Sequence, residues 1–168
     1  MARTRSTFWQ LRAQAELERR RRASAFTRPR TFTQQYYNDP VAWVHDCIQW
    51  PDGAGPVFFQ DEILAALPEH RRVSVRGPHG LGKTSLNSWA VLWFSTTRDA
   101  DGDDWKVPTT ASSWRQLTKF LWPEIRKWTR KIDWKAMQRS PFRARIEQLE
   151  LSLRLGTGEA FALASDNA

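Results

Sequence analysis

The chain has 168 residues, 40% of them hydrophobic, with ten Trp and nine Phe, which is enough apolar material for one domain with a packed core and excludes a disordered composition. Nothing resembles a signal peptide, and no stretch approaches the roughly 20 apolar residues of a membrane span, so the expectation is a soluble, cytoplasmic protein with no membrane partner. A formal net charge of +8 points to an acidic partner, and a lone Cys47 excludes an internal disulfide and a cysteine zinc site.

That charge belongs to the first segment. Residues 1–30 hold nine Arg and two Glu, a balance of +7, which leaves +1 for the remainder. Arg19 to Arg22 is an unbroken run after a helix-favouring stretch, and Pro29 ends it, so residues 1–33 read as a basic helical arm and 34–168 as the domain proper. Such an arm neutralises nucleic-acid phosphates, meets an acidic protein surface, or is a solvated helix.

Asp39-Pro40 predicts a helix start, Asp as cap and Pro at the first helical position, leading into residues 41–49. Cys47 falls in that helix among apolar neighbours and reads as a buried structural thiol. Pro51, Gly53, Gly55 and Pro56 break the helix, and Phe58-Phe59-Gln60 opens another, over 61–67, stopped by Pro68. A Gln amide both donates and accepts, so Gln60 is a candidate reader of an adenine edge, which would select ATP; the alternative is a solvent-facing residue of a helix start.

Gly77, Pro78, His79, Gly80, Leu81, Gly82, Lys83 and Thr84 fit the GxxxxGK(S/T) phosphate loop without a departure. Arg72-Val73-Ser74-Val75-Arg76 alternates like a short strand before it, and an apolar helix pattern starting at Ser85 runs to about Thr96 after it. The glycines let backbone N–H groups turn inward around phosphate oxygens, and the following helix adds its positive end. Lys83 is the candidate catalytic charge for the β- and γ-phosphates, Thr84 the candidate hydroxyl ligand of Mg2+, and Ser85 continues the site. ATP and Mg2+ are the expected cofactors. A Gly-rich connection that happens to contain Lys-Thr is the plain alternative.

Residues 98–104 read as an acidic surface turn, residues 105–110 as a short strand weakened by Pro108, and Ser112 or Ser113 as the cap of a helix over 114–131. In that helix Leu117, Phe120, Leu121, Ile125 and Trp128 form a core-facing stripe, with Glu124 as an ordinary surface residue. Residues 146–155 and 160–164 predict two strands around a turn at 156–159. Strands and helices alternate, which defines an α/β fold, read as a P-loop NTPase with an incomplete parallel sheet flanked by helices.

From Asp39 onward, these segments resemble the N-terminal ATPase domain of bacteriophage terminase large subunits. The likeness is carried by the Asp-Pro helix start, the aromatic segment ending in Gln60, the GPHGLGKTS loop, Thr109-Thr110-Ala111 with Gln116, Trp122-Pro123-Glu124-Ile125, and the closing Ala-Leu-Ala-Ser-Asp-Asn. The resemblance implies an adenine-sensing Gln60, a Walker A loop over 77–84, and a segment 110–116 that couples ATP state to DNA movement. It also implies double-stranded DNA, a terminase small subunit and a portal protein as partners, in the cytoplasm of a bacterial host. Relatives carry an arginine in or beside the loop; here His79 lies inside it and Arg76 just before it.

Phosphoryl transfer in this family also needs an acidic pair at the end of a second strand, to hold the Mg2+ shell and orient water. The only Asp-Glu, Asp61-Glu62, precedes the loop. The resemblance places the acidic strand shortly after Asp166-Asn167, so the expectation is an ATPase half lacking Walker B and the nuclease domain, marginally folded and binding nucleotide weakly. A helicase-like ATPase fragment shares the upstream Gln and the loop. A nucleotide kinase shares the loop but needs an Arg-rich lid. A non-catalytic DNA- or partner-binding protein with a vestigial loop is the third alternative.

Overall fold

The computed structural model describes residues 31–135, 137, 147–148 and 150–164; residues 1–30, which hold the Arg-rich run, and 136, 138–146, 149 and 165–168 lie outside them. Helix α1 (Phe32–Tyr36) is followed by α2 (Pro40–Cys47). Asp39 caps α2 by accepting the Ala42 N–H at 2.9 Å, with Pro40 in the first turn where its missing N–H costs nothing. Helix α3 (Phe58–Ala66) starts three residues earlier than the sequence pattern suggests.

The central element is α4 (Lys83–Asp101), which begins at the left-handed Gly82 and ends at the left-handed Gly102. Asp103 N–H bonds the Arg98 carbonyl at 3.0 Å, closing the last turn beyond the glycine. The helix therefore runs five residues past Thr96, and Arg98 to Asp101 are helical, not turn. Asp99 is buried and accepts from the Thr157 N–H at 2.8 Å and the Thr157 hydroxyl at 3.1 Å. Arg98 lies 3.7 Å over the Tyr37 ring and donates to the Tyr37 carbonyl. Long-range partners, invisible to local pattern, turn this acidic stretch inward.

Strand β1 (Trp105–Ala111) pairs in parallel with β4 (Gly158–Ala164), while β3 (Ser152–Arg154) runs antiparallel between β4 and the two-residue β2 (Glu147–Gln148). The strand order is β1-β4-β3-β2, so the sheet is mixed, and the expectation of a purely parallel sheet is corrected. Pro108 fits because β1 is an edge strand. The stretch 146–155 is two short strands. A parallel β1–β4 pair needs a crossover, and residues 114–129 supply it.

That crossover is not one uniform helix. A single turn, α5 (Trp114–Gln116), leads into a π-helical segment (Leu117–Leu121) and then α6 (Trp122–Thr129). Pro123 has no N–H for the Lys119 carbonyl and its ring crowds that carbonyl, so the backbone widens and the Trp122 N–H bonds Leu117 O instead. The extra residue turns the helix face. Leu117, Ile125 and Trp128 stay in the core as the stripe requires, but Phe120 is 61% exposed.

The core lies between α4 and α2, α3 and α6, with Trp43, Leu64, Leu92, Trp122 and Ile125 fully enclosed. Trp89 meets Trp50 and Trp128 edge to face, and Trp50 lies tilted on Trp128, with ring centroids 5.1–5.4 Å apart. Cys47 is buried as expected. Residues 72–76, by contrast, join no ladder among the described residues, and Val73 and Val75 are exposed. Alternation makes a strand only where a partner supplies hydrogen bonds, and β4 lies beside β1 instead.

Candidate phosphate-loop site

The loop 77–82 is curled. Gly80 and Gly82 sit at φ of 86° and 71°, where a side chain is strained, and a Cβ on Gly77 would come within 2.8 Å of the Leu81 side chain. Lys83 reaches back from the first turn of α4, and its ammonium donates to the carbonyls of Gly77, at 2.9 Å, and Pro78. The charge thus rests across the two ends of the loop. Residues 77–81 are exposed, so their backbone is open to a ligand.

An open cleft of about 500 Å3 adjoins the loop. His79 and Thr84 from the loop, Asn87 from α4, Thr110 from β1, Gln116 from α5 and Phe120 from the π segment line it. The two Thr of β1 point to opposite faces. Buried Thr109 donates to Phe161 O at 3.0 Å and accepts the Trp122 indole N–H at 3.1 Å, binding β1 to β4 and α6. Thr110 is left facing the cleft. Ser113 caps α5 through the Gln116 N–H, and Ser112 donates to the Gln116 side chain at 3.2 Å. Segment 110–116 and the loop therefore meet, although 26 residues separate Thr84 from Thr110.

Gln60 is not solvent-facing; it is 7% exposed. Its Oε1 accepts the Val57 N–H at 3.0 Å, and its Nε2 donates to Leu81 O at 3.4 Å. Ser85 donates its hydroxyl to Glu124 at 2.7 Å and so turns toward α6. Glu124 also accepts from Trp128 Nε1 at 2.7 Å and Lys127 Nζ at 3.1 Å, which corrects its reading as an ordinary surface residue. Burial raises the Glu124 pKa, yet the hydrogen bonds from Ser85, Lys127 and Trp128 outweigh it and hold the carboxyl below its ordinary range. The i, i+3 and i, i+4 spacing of Glu124 to Lys127 and Trp128 was the sequence signal for part of this cluster; the Ser85 contact had none.

Arg76 is not among the cleft-lining residues, and among the described residues neither is any carboxylate. Asn87 lines the cleft without having been singled out from the sequence, and Phe120, read there as a core residue, lines it too. Among the described residues no group of three or more His, Cys, Asp or Glu could hold a metal ion. No helix among the described residues is long and apolar enough to cross a membrane. Comparison of the chain with protein-family models, with curated proteins and with solved structures finds no match to any of the three.

Proposed function

We propose that the chain binds ATP with Mg2+ through the loop 77–84 and is the nucleotide-binding part of a P-loop NTPase of the terminase large-subunit kind, a motor for double-stranded DNA. The supporting observation is that Thr84 of the loop shares one cleft with Thr110 and Gln116, the residues the resemblance assigns to coupling. Phosphates entering the loop would replace the Gly77 and Pro78 carbonyls as partners of Lys83. Thr84 would ligate Mg2+, and the first amides of the 19-residue α4 would face the anion.

Among the described residues no carboxylate lines the cleft, and the proposal for these residues is therefore nucleotide binding with little turnover, since hydrolysis needs a carboxylate to orient water. DNA, the terminase small subunit and the portal protein are the partners proposed for that motor. Titration of the full chain with Mg-ATP tests the reading. Binding by the wild type that disappears in Lys83→Ala supports it; equal binding by both, or by neither, overturns it, and hydrolysis at ordinary ATPase rates removes the claim of little turnover.

A further inference from the structure

We propose that Gln60 is a positioning residue for the phosphate loop, acting through Leu81 and Gly82, and does not read the nucleotide base. The inference rests on the ATP-binding reading for its consequence but not for its geometry. To read an adenine edge, a Gln must present its oxygen and its nitrogen side by side to the base. Here the oxygen holds the Val57 N–H at the start of α3, the nitrogen reaches Leu81 O, and the residue is buried. Both ends of the amide serve backbone.

What that contact controls follows from peptide planarity. The Leu81 carbonyl and the Gly82 N–H belong to one trans peptide and point in opposite directions. Holding the carbonyl toward Gln60 turns the Gly82 N–H away from α3. Gly82 is also the N-cap of α4 in the left-handed region, and a Cβ there would stand 2.7 Å from the Gln60 nitrogen. Gln60 therefore packs against the residue whose ψ sets the direction of the Lys83 amide, where the helix begins. The ligand class it serves is any Mg-bound triphosphate, whatever its base.

The test compares ATP, GTP and inorganic tripolyphosphate, each with Mg2+, on full-length wild type, Gln60→Ala and Gln60→Glu. Gln60→Glu keeps the shape and the Val57 acceptor and replaces only the donor to Leu81, so it carries the test should Gln60→Ala unfold. The expected result is that all three ligands weaken by a common factor of about five to ten, with the ATP-to-GTP ratio unchanged. Loss of ATP affinity with tripolyphosphate unaffected would overturn the positioning role. Amide exchange at residues 81–84 without ligand supplies the independent arm: faster exchange in the variants supports the inference, unchanged exchange overturns it. A wild type that binds none of the three ligands, with exchange still accelerated in the variants, sinks the ATP reading and leaves the positioning role standing.

Discussion

Glu124 on α6 accepts the Ser85 hydroxyl at 2.7 Å, so the turn that follows Lys83 and Thr84 is tied to the crossover helix by a carboxylate. The same carboxylate takes the Trp128 indole N–H, and Trp128 packs on Trp89 of α4. The loop 77–82 and the first turn of α4 are thus held on one side by Gln60 and on the other by Glu124.

Replacing Glu124 by Gln should cost about 1 kcal/mol at pH 7, since neutral acceptors hold the same donors less strongly. The folded-state pKa of Glu124 is depressed, so its contribution is present above the unfolded value of about 4.3 and is lost as pH falls through the folded one. Urea unfolding of wild type and Glu124→Gln should differ at pH 7 and converge as pH falls below the unfolded value. A gap that stays constant over this range would contradict the assignment.

Gly82→Ala should destabilise by about 1–2 kcal/mol from the left-handed backbone alone. The new methyl also meets the Gln60 amide, so combining it with Gln60→Ala should cost less than the two single changes added. Urea midpoints of the four proteins give the coupling. Strict additivity would mean that the two side chains do not touch.

Thr109→Val preserves volume while removing the acceptor for the buried Trp122 indole and the donor to Phe161 O. The expected loss is about 1–3 kcal/mol, because an enclosed N–H is left without a partner. The Mg-ATP binding proposed for the loop 77–84 should change far less than stability. Thermal melts and Mg-ATP titration on the same sample separate the two effects.

Burial, followed by the charge of Asp46, pushes the Cys47 thiol up to about 12. At pH 8 the thiolate fraction is then of order one in ten thousand. Ellman's reagent should leave the folded protein unlabelled and react with one thiol per chain in denaturant. Rapid labelling of native protein would place the cysteine outside the core.

Much of the frame is legible from local chemistry. Asp39-Pro40 caps α2, Ser113 caps α5, Cys47 lies in the core, and the helix after the loop is there, although it begins at Lys83, two residues before the pattern's start at Ser85. Each depends on residues within one or two turns of each other. Where the reading failed, a distant group decided. Asp99 turned inward for Thr157, and Glu124 became a junction for Ser85; Phe120, the exception, left its apolar stripe because Pro123 inserts a π turn.

Residue type and spacing thus settled which atoms stand ready in the loop: three glycines for backbone freedom, a lysine for charge, a threonine for a hydroxyl, all within eight consecutive positions. Folding alone decided what faces them. Thr110 and Gln116 come to the loop because β1 and the crossover pack against α4, and the amide of Gln60 turns to backbone because its burial leaves Val57 and Leu81 as the partners in reach. Hydrogen bonds between remote segments depend on three-dimensional proximity, which no local pattern of residues encodes.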